Sequence, residues 1–521
     1  MARTRRALAR AAAMALVALA AGCDDDAPGP AADASFDAAA SDAGTDAAAT
    51  VDAGPDIPVV PDATMCALSA PTITTGMLRA DGRLLRDEVG RAVLLRGVNA
   101  GGRSKWAPFM PFEFADDAEL AARREQLMSS LAAWGVNVIR LPFSWEGLEP
   151  VEGTIDTVYL DRYKALIDAA WAHGMRVIVD FHQDVYASPF CGDGFPLWTL
   201  GDIAHGAPRH DCADGMWFGQ YLDRGGPVPL AFERLWTNTD GLQDKFRAMW
   251  RRMATELSGR AGVIGFEIIN EPGWGARPVA DFEANVLPDV WSTLGAELRT
   301  IAPSALIVGG GPGIDAISAT TSLVNPSVEQ FVYAPHYYNV QVATGGAYTN
   351  RALTRTNVAR LAAVGTTWNR PVIFGELGVA DHSADKSIYL RDVYDALDAT
   401  LSHATVWEVS YSSERWNDEN LTIVNADGSE RALIDEVVRP YARAVAGTVD
   451  RMLWLRDART FVLEVSATTD GIAEIDLPTR HFGPRPHVGL EGGCASFDPS
   501  TGRLLVDATA DHFTLVVVGG P

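Results

Sequence analysis

The 521-residue chain predicts an α/β fold: a (β/α)8 barrel of the TIM type followed by a small C-terminal antiparallel β-sandwich domain. From residue 90 to about 410, short apolar runs rich in β-branched residues alternate with amphipathic helical stretches. Eight such alternations favour a closed parallel barrel. The eight runs are Val93–Asn99, Val136–Leu141, Met175–Phe181, Val263–Ile269, Ala305–Gly309, Phe331–Ala334, Pro371–Gly375 and Thr405–Val409.

Helical patterns separate these runs, for example over Leu160–His173, Gln243–Ser258 and Asp281–Ile301. An open doubly wound sheet is the structural alternative, and its best signal would be the glycine-rich turn over 309–313. That turn reads GGGPG, which lacks the GxGxxG spacing and contains a proline, so the sequence favours the barrel.

The first 22 residues have the pattern of a secretory signal peptide: a basic start, a short apolar stretch and small residues before Cys23. The Ala-Gly-Cys ending resembles a bacterial lipobox, in which Cys23 would be lipidated. Ordinary cleavage near Ala21, giving a soluble secreted protein, is the alternative. Either way we expect an exported protein, held at a membrane surface by a lipid anchor or secreted.

Residues 23–64 follow as a linker, in which 24–62 contain ten Asp, no Lys or Arg and many Ala and Pro. This composition cannot bury enough apolar surface to order itself, which predicts a disordered spacer. The whole chain has a formal charge of −24, so nucleic acid is an unsuitable partner. No run of 18 apolar residues occurs, so we expect no transmembrane helix.

With Cys23 set aside, the four remaining cysteines form an even set, which favours disulfides in an exported protein. Four cysteines allow three pairings. Cys191 and Cys212 lie in one loop-like stretch, so we expect that pair, which leaves Cys66 to join Cys494.

The sequence changes character after Arg439-Pro440-Tyr441, and we place the barrel domain at 65–445 and a β domain at 446–521. Short alternating runs over Phe461–Val465, Ile472–Leu477 and Thr514–Val518 predict antiparallel strands. Structural support of the barrel is the simplest role for this domain, and binding of carbohydrate or a membrane is the alternative.

Polar side chains follow the strand signals, and in a barrel the active site lies at the carboxyl ends of the strands. Two of them are glutamates on nearly opposite strands. A carboxylate at the carboxyl end of a barrel is paired with a charged or hydrogen-bonding group or takes part in catalysis. In chain order the polar and aromatic candidates are Arg140, Asp180, His182, Asp184, Asn270, Glu271, His336, Tyr338, Glu376 and Trp407.

This set suits glycoside hydrolysis, in which one carboxyl group protonates the leaving oxygen and another attacks the anomeric carbon. Arg140 and Tyr338 would keep Glu376 ionised, Asn270 would hold the sugar 2-hydroxyl, and Trp407 offers a flat face for a sugar ring. No GxSxG or HExxH motif occurs, and we expect no catalytic metal and no cofactor.

The sequence resembles the retaining glycoside hydrolases of family 5. The resemblance is carried by VIRLPFSW, VDFHQDVY, FEIINEPGWG, YAPHYYN, IFGELG and VWEVSY, which contain Arg140, His182, Asn270, Glu271, His336, Tyr338, Glu376 and Trp407. It implies that Glu271 is the acid/base, that Glu376 is the nucleophile and that the anomeric configuration is retained.

Within that family the chain resembles the endoglycoceramidases, which release an intact oligosaccharide from ceramide. The similarity extends from about residue 75 to 521 through LLRGVNAGGRSKW, VDFHQDVYASPFCGDGFPLW and VVRPYARAVAG. It implies sugar contacts by Lys105, Asp180, His182 and Asp184, and Trp198 and Trp407 complete the substrate-binding candidates. We expect a monomer that acts on a glycolipid or an oligosaccharide.

Two regions depart from the family pattern, namely the insertion with Cys191 and Cys212 and the segment VWEVSYSSERWN after the eighth strand signal. Both would shape the sugar subsites, so three alternatives stay open. One is an exo-acting β-glucosidase on glucosylceramide or steryl glucosides, and another is an endo-β-glucanase or mannanase acting on polysaccharide. The third is a non-catalytic glycan-binding lipoprotein, which would be expected to lack one of the two carboxylates.

Overall fold

The computed structural model describes residues 56–212, 217–343 and 346–520. Its contacts separate Met1–Val59 from a compact unit, Val60–Pro521, which contains all the elements below. The predicted signal peptide, Cys23 and most of the linker lie outside the described residues. In the described part of the chain, no helix is long and apolar enough to cross a membrane.

Eight parallel strands form the predicted barrel in the order β6-β5-β4-β3-β2-β1-β8-β7. A parallel bridge between Tyr333 and Val372 joins the two ends of this sheet and closes the ring. The strands are β1 Arg96–Asn99, β2 Val138–Phe143, β3 Arg176–Phe181, β4 Val263–Glu267, β5 Leu306–Gly309, β6 Phe331–Tyr333, β7 Ile373–Phe374 and β8 His403–Val406.

Helices follow most strands and pack apolar faces onto the barrel, as their buried positions show. The six longest are α1 Asp117–Ala133, α2 Thr157–Ala172, α3 Leu242–Leu257, α4 Leu287–Ile301, α5 Arg351–Trp368 and α6 Lys386–Thr400. Shorter helices cover Trp145–Leu148, Pro227–Trp236, Val279–Asn285, Gly313–Ser318, Val340–Ala343, Ile434–Val437 and Thr479–Phe482.

The predicted helix over Asp281–Ile301 is two helices, because α4 begins anew at Leu287 with a proline in its first turn. Pro288 has no backbone N–H to donate and is favoured at a helix start. The first predicted strand is also divided: Ala92–Val93 belongs to another sheet, and only Arg96–Asn99 enters the barrel.

The C-terminal domain is a sandwich of two sheets around one shared apolar core. One sheet has the order β10-β11-β16-β13, and the other contains β14-β15-β12-β9. These strands are β9 Tyr441–Val445, β10 Thr448–Leu455, β11 Thr460–Ser466, β12 Ile472–Asp476, β13 His487–Glu491, β14 Gly493–Asp498, β15 Arg503–Ala508 and β16 His512–Val518.

The start of the compact unit contributes to the second sheet. The strands Ala92–Val93, Leu84–Arg86 and Arg79–Asp81 extend it beyond β9, and Thr64–Met65 pairs in parallel with β14. The predicted division at 445/446 therefore cuts off β9, which pairs with β12 in the C-terminal sheet. The four short strands within residues 64–93 also belong to that sheet. The sequence did not predict this, because such long-range pairings leave no local signal.

Both expected disulfides are present. Cys66 is bonded to Cys494 in β14, and Cys191 is bonded to Cys212. The first ties the beginning of the compact unit to its C-terminal sheet, and the second closes a long loop after β3.

Candidate active site

Arg140, on β2, contacts three carboxylates: two from the neighbouring strands β3 and β4, and one that follows β7 on the far side of the barrel. Its side chain is fully buried, and its Nε lies 2.7 Å from Oε2 of Glu267. Its Nη2 lies 3.1 Å from Oδ2 of Asp180, and its Nη1 lies 2.8 Å from Oε1 of Glu376. The guanidinium remains charged, because although burial opposes its charge, these carboxylates raise the pKa of Arg140 well above its usual value.

Glu376 follows β7 and is held as an anion. Besides Arg140, the Tyr338 hydroxyl donates a hydrogen bond of 2.9 Å to its Oε2. Burial alone would raise the pKa of Glu376, but His336 and Arg140 lower it. An ionised carboxylate in a buried site is what a nucleophile requires.

Glu271 follows β4 and has the opposite protonation tendency. Its Oε1 lies 2.8 Å from Nδ1 of His336, and burial is the main reason why the pKa of Glu271 is raised. The negative charge of Glu376 raises that pKa further, since two neighbouring carboxylates resist double ionisation. The pKa values of the pair are therefore shifted in opposite directions, which favours the division of roles that acid-assisted displacement needs.

The two carboxyl groups are close enough for a retaining mechanism. Oxygens of Glu271 and Glu376 and a ring nitrogen of His336 all lie within 4.8 Å of one another. Retaining glycosidases place their carboxyl groups about 5–5.5 Å apart, whereas inverting enzymes leave about 6.5–9.5 Å for a water molecule. The spacing therefore suits direct attack by Glu376 on the anomeric carbon.

Hydrogen bonds to the oxygen and to the nitrogen of its side-chain amide hold Asn270 in place. Its Oδ1 accepts a hydrogen bond of 2.8 Å from Nη2 of Arg140, and its Nδ2 donates one of 3.0 Å to the carbonyl of Gln183. An amide nitrogen carries two hydrogens, so one of them remains for a sugar hydroxyl. The predicted contact to the 2-hydroxyl is therefore compatible with the geometry.

The end of β3, the residues directly after it and Lys105 from the helix after β1 form a second charged cluster beside the carboxylate pair. Nδ1 of His182 lies 2.8 Å from Oδ2 of Asp180, and Nζ of Lys105 lies 2.5 Å from Oδ2 of Asp184. Burial opposes the charge of His182, but Asp180 and Asp184 raise its pKa to about 10. Burial likewise opposes ionisation of Asp184, whose pKa Lys105 and His182 lower to about 2. The cluster therefore fixes charged side chains next to the carboxylate pair, and its predicted contacts with sugar stay a prediction.

Of the two candidate tryptophans, Trp407 lies beside this cluster and Trp198 does not. Trp407 stacks on His182 with ring centroids 5.0 Å apart, and Nζ of Lys105 lies 4.6 Å from its ring centroid. Trp198 packs edge-on against Trp145 at 5.1 Å. Its indole N–H donates to the carbonyl of Glu149, and Nζ of Lys245 lies 5.7 Å from its ring centroid. A role of Trp198 in substrate binding stays a prediction.

Two acidic residues near the site were not among the candidates predicted from the sequence. Glu267, inside β4, makes two hydrogen bonds to Arg140, and Glu419 lies 3.9 Å from Lys105. A charged residue in an otherwise apolar strand was a usable signal for Glu267, because such a charge is buried only with a partner. Nothing local marks Glu419, which lies well beyond β8 in a loop.

Among the described residues, the one group with the spacing of a metal site is Glu271, His336 and Glu376. These three side chains are the same ones that the displacement reaction would use, and His336 already bonds to Glu271. The expectation that no metal or cofactor takes part stays a prediction.

A (β/α)8 barrel with two glutamates this close together, whose pKa values are shifted in opposite directions, defines a retaining glycoside hydrolase. The sequence profile for cellulase (glycosyl hydrolase family 5) matches residues 93–413, and that for the glycoside hydrolase family 5 C-terminal domain matches residues 439–517. The chain therefore belongs to glycoside hydrolase family 5, which confirms the predicted family, the fold and the enzyme class.

Relatives of the chain extend over most of its length. Endoglycoceramidase I of Rhodococcus hoagii (strain 103S) is 27% identical over 469 residues, which cover 85% of this chain and 87% of the relative. A solved structure of endo-glycoceramidase II from Rhodococcus sp., in complex with a five-membered iminocyclitol, is 25% identical with a TM-score of 0.69. That match covers 84% of this chain and all of the other (100%).

A shorter match is to a glucosylceramidase of Rhizopus delemar, which is 27% identical over 243 residues. It covers 37% of this chain and 35% of the relative.

Proposed function

We propose that this enzyme cleaves the β-glycosidic bond between an oligosaccharide and ceramide in glycosphingolipids. The observation that carries this proposal is the similarity to endoglycoceramidase I, which spans 85% of the chain and so includes both the barrel and the C-terminal domain. The retaining pair of carboxyl groups supplies the chemistry.

The reaction proceeds by double displacement. A carboxylate oxygen of Glu376 attacks the anomeric carbon, while Glu271 gives its proton to the departing primary oxygen of ceramide. Ceramide leaves as an alcohol, and the oligosaccharide remains as an ester on Glu376. Glu271, now ionised, takes a proton from water, whose oxygen attacks the anomeric carbon and releases the oligosaccharide with its original configuration.

The neighbouring side chains assist specific steps. Arg140 and Tyr338 hold the attacking carboxylate in position and in its ionised form, and Asn270 is placed to contact the 2-hydroxyl, where hydrogen bonds strengthen in the transition state. His336 bonds to Glu271 and orients it towards the leaving oxygen.

The test is incubation of the purified protein with a ganglioside and, separately, with glucosylceramide in detergent, followed by mass spectrometry of the products. An intact oligosaccharide and ceramide from the ganglioside are expected. Cleavage of glucosylceramide alone would support the second candidate, an exo-acting glucosidase, which the partial similarity to a glucosylceramidase favours. Cleavage of soluble β-glucans or mannans alone would contradict both glycolipid assignments.

We further propose that the protein is exported and attached to a membrane through a lipid on Cys23, and that it acts there as a monomer. The lipobox-like Ala-Gly-Cys sequence supports attachment through a lipid on Cys23, and the acidic linker would hold the folded part of the protein away from the membrane surface. The anchor is tested by comparing how much of the full-length protein and how much of a Cys23→Ser variant is recovered with the membrane fraction. Light scattering in detergent, which gives the molar mass of the protein, tests whether it is a monomer.

A further inference from the structure

The glycine-rich turn after β5, over 309–313, makes room for a pair of carboxyl groups. A Cβ atom built on Gly311 would overlap Oδ2 of Asp315, and Oε1 of Glu283 lies 3.5 Å from the same point. Asp315 belongs to the short helix Gly313–Ser318, and Glu283 belongs to the short helix Val279–Asn285. The pair therefore joins two helices that follow different strands, β5 and β4.

Both carboxyl groups of this pair are buried without a neighbouring cation. Asp315 and Glu283 are 9% and 2% exposed, and across the described residues neither forms an ion pair with Lys, Arg or His. Glu283 accepts hydrogen bonds from the Thr321 hydroxyl and from the backbone N–H of Ser322. Oδ2 of Asp315 has no hydrogen-bond donor within the described part of the chain. Two adjacent buried carboxyl groups retain one proton between them, because double ionisation without a cation is strongly unfavourable.

Asp315 is the member of the pair that keeps the proton. Burial, the charge of Glu283 and a hydrogen bond with Glu283 raise the pKa of Asp315 well above its usual value. The other ionisable groups that face Asp315 do not reverse this effect. Glu271 is itself acidic, and Tyr333 in β6 is a neutral phenol whose own pKa is raised by burial. A protonated Asp315 can donate a hydrogen bond to the carboxylate of Glu283.

The helix that carries this proton donor borders the groups of the mechanism. Its first residue, Gly313, lies beside the carboxylate of Glu271. The carbonyl of Ala316 accepts a hydrogen bond of 2.9 Å from the backbone N–H of Tyr338, whose hydroxyl donates to Glu376. The helix has six residues, which is less than two turns. So short a helix has little stability of its own and depends on tertiary contacts to stay in place.

We propose that Asp315 and Glu283 share one proton and that the resulting hydrogen bond fixes the helix Gly313–Ser318. Asp315 is thereby a positioning residue for Glu271 and Tyr338 and does not itself react. The inference rests on the glycosidase chemistry of the proposed function and goes beyond it, because it assigns a task to carboxyl groups outside the reacting pair. It concerns the displacement steps and not the identity of the leaving group, so ceramide cleavage is not needed to test it.

The first experiment compares Asp315→Asn with Asp315→Ala on the 4-nitrophenyl β-glycoside that the wild type cleaves fastest. The amide of Asn donates an N–H to Glu283 in place of the carboxyl proton, so Asp315→Asn should keep kcat within about twofold. Asp315→Ala removes the donor, and we expect kcat to fall about 10²-fold with little change in KM, because the helix then shifts beside both catalytic groups. Asp281→Asn, an exposed change on the same helix as Glu283, is the control and should behave as wild type.

Two further measurements detect the proton itself and need no activity. At neutral pH the infrared spectrum of the wild type should contain a C=O stretching band of a protonated carboxyl group that Asp315→Asn lacks and Asp281→Asn retains. Denaturant unfolding gives a second readout with a defined sign. Because the pKa of Asp315 is raised in the folded protein, the stability from its protonated form is fully present below pH 3.8 and is lost as the pH rises towards the raised value. The unfolding equilibrium constant of Asp315→Asn relative to wild type should therefore fall above pH 3.8, by up to about tenfold per pH unit.

Three results would overturn the proposal. One is a wild-type kcat in Asp315→Ala or an equal loss in the Asn and Ala variants, and if Asp315→Ala does not fold, the infrared and unfolding measurements decide. Another is an unchanged infrared spectrum in Asp315→Asn with a stability difference that does not depend on pH. The third is stabilisation of the wild type by calcium chloride that Asp315→Asn abolishes, because a cation and not a proton would then join the two carboxylates. A failure to cleave gangliosides would contradict the proposed substrate and would leave these measurements unaffected.

Discussion

Gly313 lies directly against the carboxylate of Glu271. A Cβ atom built on Gly313 would overlap Oε2 of Glu271. Gly313 begins the short helix Gly313–Ser318, and a side chain at this position would force the carboxylate of the acid/base group to shift.

Gly313→Ala should displace Glu271 from its hydrogen bond to His336. We expect kcat to fall about 10²-fold on glycosides with poor leaving groups, because proton donation depends on the position of the acid. Aryl glycosides with strongly acidic leaving groups should lose much less in the first step. Gly206→Ala is the control, since a methyl group there meets nothing within 4 Å. An equal loss on both substrate types would indicate general misfolding of the site instead.

Glu271→Gln and Glu376→Gln should separate the two roles. Loss of the nucleophile prevents formation of the ester, so Glu376→Gln should be inactive on every substrate by several orders of magnitude. Glu271→Gln should lose about 10²–10⁴-fold on glycolipids. On a dinitrophenyl glycoside it should still release the phenol in a burst equal to the enzyme concentration, because only the second step then needs the base. Absence of the burst would contradict the assignment of Glu271 as acid/base.

The opposite pKa shifts of the same pair predict a bell-shaped pH profile for kcat/KM. Glu376 must be ionised, and because His336 and Arg140 outweigh the effect of burial, its lowered pKa places the acid limb below the usual glutamate range. Glu271 must be protonated, and its pKa, raised mainly by burial, places the alkaline limb above that range. Activity is therefore lost as the pH rises through the raised pKa of Glu271. The alkaline limb should be absent in Glu271→Gln on the dinitrophenyl glycoside, which stopped-flow measurement of the burst rate can check.

The barrel and the catalytic residues were predictable because their signals are local. Each strand is a short apolar run, and the side chains that follow it are carried to the same end of the barrel by the fold itself. Arg140, Glu271 and Glu376 therefore come together as expected.

What the sequence did not predict depends on pairing between distant segments. The strand Ala92–Val93 directly precedes β1 in the sequence, yet one of its two partner strands is β9, more than 300 residues later. Glu419 faces Lys105 because the loop after β8 is tied to the disulfide loop through Asn417, and neither loop has a periodic pattern.

Lys105 should contribute to stability as well as to binding. Its side chain and that of Asp184 are 3% and 5% exposed, so Lys105→Met would leave a buried carboxylate with only His182 as a neighbouring cation. We expect the free energy of unfolding to fall by about 3 kcal/mol at neutral pH. Lys105→Met/Asp184→Asn should recover part of this loss, which denaturant unfolding in a double-mutant cycle measures.

The pH dependence of this destabilisation has a defined sign. Lys105 and His182 overcome the effect of burial and lower the pKa of Asp184 from 3.8 to about 2, so the stability from its ionised form is fully present above 3.8. It is lost as the pH falls through about 2. The difference between wild type and Lys105→Met should therefore shrink in acid, and a difference that grows in acid would contradict the pairing.

The Cys66–Cys494 disulfide should stabilise the protein more than Cys191–Cys212. It links residues 428 apart in sequence, compared with 21 for the other bond, so it restricts the unfolded chain far more strongly. Replacing Cys66 and Cys494 by serine should lower the free energy of unfolding by about 2–5 kcal/mol. Activity at moderate temperature should be retained, because this bond lies at β14 in the C-terminal sheet and not among the catalytic residues. Cys191→Ser/Cys212→Ser is the matched comparison. There we expect a smaller loss of stability with a larger change in glycan preference, since that bond closes the loop whose Cys191 carbonyl accepts a hydrogen bond from Asn417 in the loop after β8. Equal stability losses in the two double variants would show that contacts in the folded state, and not the length of the closed loop, decide what each bond contributes.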